Sequence, residues 1–188
     1  MFSGSVRDDI ADIFANPASP FFKSALTLTV RPVPDDDFAP FLVKRFASGK
    51  RKADRAFVER IFDFTNRTPG DVQQFCSAVW NVTEPGDSLG EAELGKALSE
   101  IFAEESGVFE SQTSKLTRFQ FKTLVAVARH GGRKVFSAGF LSAAELPSAA
   151  SASRAFKALV SDGLLFLNQG EYRFFNPFLR AWLLDRGY

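Results

Sequence analysis

Seven side chains in the second half of the chain have the type and spacing to hold a phosphate backbone: Arg129, Arg133, Lys134, Ser151, Arg154, Lys157 and Arg173. Ser151, Arg154 and Lys157, with Ser153 beside them, fall on one side of a helical repeat whose other side is Ala152, Phe156, Leu159 and Val160. A helix here buries the apolar set and offers the other to solvent. Arg129, Arg133 and Lys134, with His130, cluster at the end of an earlier helical stretch, and Arg173 lies on a later apolar and polar alternation. Cationic groups so placed hold phosphates without reading bases, and four or five such contacts give a log–log salt slope of about −4. The outward face has few long hydrogen-bonding side chains, so base-specific readout is expected to be weak. The same charges could equally be a solvated face on a region that packs against protein.

Other chemistry is excluded residue by residue. Cys76 sits beside Phe75 and Val79 on an apolar helical face, which suits a small buried hydrophobe better than a nucleophile. His130 has no acidic neighbour in sequence and reads as a charge at a helix C-terminus. With one Cys and one His, the chain has no internal disulfide and no Cys/His metal site. Gly90-Glu91-Ala92-Glu93-Leu94-Gly95-Lys96-Ala97 matches a phosphate-binding loop up to its last position, but Ala97 cannot ligate Mg²⁺ and two glutamates would repel a triphosphate. It reads instead as the start of a helix. The acidic runs Asp35-Asp36-Asp37 and Glu104-Glu105 read as a helix start and a solvated face. No catalytic residue, metal or cofactor is expected, and the chain is read as non-enzymatic.

The elements that position these residues divide sharply by charge. Of 188 residues, the first 114 carry twelve Lys/Arg against eighteen Asp/Glu, and the last 74 carry eleven against four. With 45% apolar content and 22 Phe there is ample material for a core. The apolar runs are too short to cross a bilayer and residues 1–5 lack the pattern of a signal peptide, so a cytoplasmic location is the default. Residues 1–34 read as strand, helix and strand (2–6, 8–14 and 25–30), too few to bury their own faces, and their open edges would favour a homodimer or a partner. Residues 35–110 read as a small bundle of four helices, and 110–114 as a polar linker.

Residues 115–188 then read as helix, short strand at Val135-Phe136, helix capped by Ser137, helix over 149–161, hairpin turning at Asn168-Gln169-Gly170-Glu171, and closing helix. That order is the order of a winged helix, in which 149–161 would enter the major groove of duplex DNA. The fold class expected is mainly α, a helical bundle followed by a winged helix, with a short α/β remnant in front.

Particular residues add a resemblance. Asp63-Phe64-Thr65-Asn66-Arg67-Thr68-Pro69-Gly70-Asp71-Val72-Gln73-Gln74-Phe75-Cys76, followed by Trp80, resembles the lid motif of the STAND-type branch of AAA+ ATPases. Gly163-Leu164-Leu165 and the run from Tyr172 to Leu183 resemble the winged helix that follows that lid, and Phe2-Ser3-Gly4-Ser5 is similar to the end of the family's sensor-1 strand. The resemblance implies a lid over 35–110 and the end of an AAA+ core over 1–34. It implies that Ser5 and Arg67 would sense a nucleotide, against the plainer reading of a strand end and a solvated helix-terminal charge. Lys23 stands where the family usually has arginine. The P-loop and Mg²⁺-binding acid of the family are not in this sequence, so ATP and Mg²⁺ would be bound only with a complete core. Two functions follow: a module whose basic winged helix binds duplex DNA, or a module that docks on a P-loop ATPase core or an effector protein.

Overall fold

The computed structural model describes residues 17–22, 24 and 33–188, within two compact units, Met1–Pro32 and Val33–Tyr188. In the first, the described residues form turns in which Phe22 N donates to Ser19 O at 3.0 Å and Ser24 Oγ donates to Phe21 O at 2.7 Å. The strands and helix expected over 2–14 and 25–30 lie outside the described residues, as do Ser5 and Lys23.

The second unit opens with four helices, α1 (Asp35–Ser48), α2 (Arg55–Phe64), α3 (Pro69–Asn81) and α4 (Glu91–Ser114). Pro34 holds the N-cap position of α1, with Asp35, Asp36 and Asp37 in its first turn, where their charge favours the open N–H groups. Asp54 caps α2 by accepting from Phe57 N at 2.7 Å, and Pro69 opens α3, where its missing N–H costs little. Leu42, Phe46, Phe57, Ile61, Phe62, Val72, Phe75, Val79, Leu94 and Ile101 turn inward from these helices. Each buried Phe or Ile contributes about 1.5–3 kcal/mol of transfer free energy.

The loop Lys50-Arg51-Lys52 is part of this architecture. Arg51 is buried, with Nε donating to Thr83 Oγ1 at 2.9 Å and Nη2 to Trp80 O and Thr83 O at 3.0 and 2.6 Å. Its guanidinium lies 4.0 Å from the centroid of the Trp80 ring. One arginine thus ties the end of α1 to the end of α3. Gly49 permits this, because a Cβ there would meet Trp80 Cη2 at 2.1 Å.

Helix α4 runs without a break for 24 residues, so 110–114, expected as a linker, is its last turn. Phe109, fully buried on that stretch, packs on Trp182 with centroids 5.6 Å apart. The bundle and the basic region therefore share one unit and one core. A second seam is the cluster of Phe64, Phe75 and Phe178, with centroids 4.9 to 5.7 Å apart.

The basic region follows as α5 (Arg118–His130), α6 (Ala138–Ala143), α7 (Ala149–Ser161), β1 (Leu165–Asn168), β2 (Glu171–Phe174) and α8 (Pro177–Asp185). Thr117, Ser137, Ser148 and Asn176 cap the four helices through side-chain oxygens. The strands pair antiparallel with Asn168 opposite Glu171, and the turn residues Gln169 and Gly170 have φ of 49° and 80°. Two positive φ values are what a tight hairpin turn between right-twisted strands requires.

The short strand expected at Val135-Phe136 is absent. Lys134 adopts φ of 49° and accepts from Ser137 N, so the chain turns into α6 instead of extending. What remains is a bridge between Arg133 and Glu171, with Tyr172 N donating to Gly132 O at 3.0 Å. The backbones approach so closely that a Cβ on Gly132 would lie 1.7 Å from Tyr172 O.

Candidate nucleic-acid interface

Helix α7 is fixed from below and open above. Ser148 Oγ accepts from Ser151 N at 3.2 Å and donates to Ser151 Oγ at 3.0 Å, which starts the helix and orients Ser151. Ala152, Ala155, Phe156 and Leu159 are buried, and Phe156 packs on the Tyr172 ring of β2 at 4.4 Å. Val160, expected in that stripe, is 39% exposed. It lies about 100° around the helix from Leu159, beyond the buried arc.

Arg154 and Lys157 stand on the solvent side, both exposed, and no hydrogen bond or ion pair engages either side chain among the described residues. Three positions apart on a helix, they are neighbours. Ser151 is half-buried and flanks Arg154 on an open groove of about 400 Å³ that also takes in Thr117, Phe119, Gln120, Pro147 and Ala155. The start of α5 therefore lies beside α7. This tertiary neighbour has no local signal in the sequence, although the Thr117 cap itself does.

The other expected phosphate contacts are differently placed. Arg129 clamps the chain end, Nε donating to Tyr188 O at 2.6 Å and Nη2 to Gly187 O at 3.0 Å. Arg173 sets two nitrogens on Glu171 Oε2, at 3.0 and 2.7 Å, and a third on Asn66 Oδ1 at 3.2 Å, in the turn before α3. Arg133 also faces Glu171, at 3.4 Å, with its side chain 80% exposed. Hydrogen bonding to Arg173 above all, then the charges of Arg173 and Arg133, hold the Glu171 carboxyl below its ordinary value. Lys134 is exposed and unpartnered among the described residues. Arg67, with φ of 59°, is bound by Asp35 at 2.9 Å and Asp63 at 3.0 Å.

Elsewhere the chemistry is quiet. Burial pushes the Cys76 thiol up to about 12, so it stays protonated and packs as a hydrophobe. Gly90 N donates to Glu93 Oε2 at 3.0 Å, and Glu91 through Ala97 form the first turns of α4, not a phosphate loop. Among the described residues, no group of three His, Cys, Asp or Glu could hold a metal ion, and no helix is long and apolar enough to cross a membrane.

No curated protein and no solved structure matches the chain. Residues 107–185, from the last turns of α4 to the end of α8, match the family model described as a probable winged helix domain.

Proposed function

We propose that the chain is a non-catalytic module whose winged helix binds duplex DNA through its backbone. The carrying observation is the Arg154 and Lys157 pair, exposed and free of partners on the solvent side of α7. An unpaired surface cation gains a phosphate at no internal loss, whereas a paired one must first give up its partner. The excess of cations over acids in residues 115–188 draws the duplex in and makes its binding salt-dependent. Ser151 and Ser153 beside the pair are short, which suits weak, sequence-tolerant binding.

The test is fluorescence anisotropy of a mixed-sequence duplex at about 50 and 200 mM salt. Saturable binding that weakens steeply with salt is expected, and Arg154→Ala with Lys157→Ala should reduce the log–log slope by about 2. No binding at the lower salt would remove this reading.

One observation favours a second reading, a module that docks on protein. Leu167 and Phe175 of the hairpin region are 57% and 49% exposed, and the hairpin carries no unpaired cation among the described residues. The four helices ahead of the winged helix, in which residues 63–80 resemble the lid of a STAND-type ATPase, are in keeping with this reading, and a P-loop core would be the partner. Co-elution with a P-loop protein from the native extract would favour this reading, and a clean monomer would count against it.

A further inference from the structure

Among the described residues, the eleven cations of residues 115–188 separate by what they already hold. Arg133 and Arg173 face Glu171, Lys122 faces Glu145 at 2.8 Å, and Arg186 faces Glu110 at 2.9 Å while lying 4.6 Å from the Trp182 ring centroid. Arg129 and Arg180 donate to backbone carbonyls of Gly187, Tyr188 and Ala128. Lys115, Arg118, Lys134, Arg154 and Lys157 are exposed and hold nothing among the described residues.

These free cations are not spread evenly. Lys115 and Arg118 bracket Thr117, and Thr117 and Gln120 share the walls of the groove of about 400 Å³ with Ser151 and Arg154. The far end of α7 is different, because it closes on exposed Asp162 before the chain enters β1. The hairpin beyond turns at Asn168-Gln169-Gly170-Glu171 with no cation in the turn, and Glu171, which closes the turn opposite Asn168, neutralises Arg173. A phosphate brought to the hairpin would meet a carboxylate already occupied by Arg173 and Arg133, with Lys134 free beside Arg133 in sequence, whereas one brought to the groove would meet Arg154 with no competitor and Lys115 and Arg118 close by in sequence to its Thr117 wall.

We infer that the duplex backbone lies across α7 at Ser151 to Lys157 and the start of α5, with Lys115 and Arg118 as phosphate contacts beside Arg154 and Lys157, and that the hairpin stays off the DNA. This rests on the DNA-binding reading above and says where on the winged helix the strand runs. Thr117 and Gln120 already satisfy each other's backbone N–H groups at 2.8 and 3.2 Å, so the contact comes from the two side-chain cations and not from the helix end itself.

The experiment is the same duplex titration, run on the full chain and on two sets of variants, each checked for retained helical circular dichroism. Lys115→Ala with Arg118→Ala should lower the log–log salt slope by about 2, since each lost phosphate contact removes about 0.9. In the hairpin, Leu167→Glu, at a side chain 57% exposed, and Asn168→Asp, which adds a negative charge at the turn, should leave affinity and slope within twofold of the parent. Weakened binding in the hairpin variants with the α5 pair unaffected would overturn this placement and leave the DNA-binding reading of the parent standing. A parent chain that binds no duplex would overturn the DNA reading and the placement with it.

Discussion

In the helical bundle three arginines serve the fold, whereas on α7 both cations are left to solvent. Arg51 is buried among carbonyls, Arg55 bridges Asp36 and Glu59, and Arg67 bridges Asp35 and Asp63. On α7, Arg154 and Lys157 hold nothing among the described residues, one turn apart on a helix whose opposite face is fully packed. Charge counts alone therefore do not locate a binding surface. A cation that already serves the fold costs stability when it is removed, and one that serves no internal contact can be removed without stability loss, so any effect of its loss must fall on a partner.

Both regions share one core, and the largest expected effect falls on the residues that join them. Phe178, fully buried against Phe64 and Phe75, joins the winged helix to the bundle. Phe178→Ala should cost about 3–5 kcal/mol, and chemical denaturation followed by Trp fluorescence and by circular dichroism should shift as one transition. Separate transitions would mean that the two regions are independent, and the contrast between them would lose its footing.

Next in size is the contrast itself. Arg51→Met strands the carbonyls of Trp80 and Thr83 in a buried site, and should cost about 2–4 kcal/mol. Arg154→Ala should stay within about 0.5 kcal/mol of the parent in the same denaturation. Equal losses would break the distinction between fold-serving and free cations.

A smaller effect concerns the anchoring of the hairpin. Gly132→Ala places a Cβ against the Tyr172 backbone and should cost about 1–3 kcal/mol by overpacking. If the duplex avoids the hairpin, this variant should still bind DNA at temperatures where it remains folded, which anisotropy would read directly.

The smallest effect lies in the bundle. Burial, reinforced by Glu105 and partly opposed by Thr68, raises the carboxyl of Asp71 from 3.8 to about 6. The folded state therefore holds an extra proton between about pH 4 and 6, so this group's contribution to stability falls as pH rises through that window and is level above it. Asp71→Asn should be more stable than the parent by about 1 kcal/mol at pH 7, after allowance for its partial exposure, with the difference gone near pH 4. Thermal melts at both pH values would check the sign. Glu171 runs the other way: its lowered carboxyl contributes stability above its ordinary range, and that contribution is lost as pH falls through the lowered value.

Much of this molecule is written locally. The apolar repeats at Phe57, Ile61 and Phe62, at Val72, Phe75 and Val79, and at Ala152, Phe156 and Leu159 set three helices and their inward faces, because a period of 3.6 residues needs no distant partner to be read. Caps at Thr117, Ser137 and Ser148 and the turn at Gln169-Gly170 set where elements begin and reverse. Arg154 and Lys157 as an outward pair follow from the same period.

What the chain alone left open depends on contacts between segments far apart in sequence. The polar stretch 110–114 stays helical because Phe109 just before it docks on Trp182, more than seventy positions later. The short strand before α6 is reduced to one bridge because Lys134 turns the chain into α6 just after Gly132 meets the Tyr172 backbone. The charge excess of residues 115–188 is a matter of composition, but contacts across the fold set which cations stay free: Glu171 neutralises Arg133 and Arg173, the backbone of residues 187–188 occupies Arg129, and no ion pair engages Arg154 or Lys157 among the described residues. An ion pair forms wherever folding brings opposite charges within about 4 Å, and that distance is a property of the packed chain, not of its order.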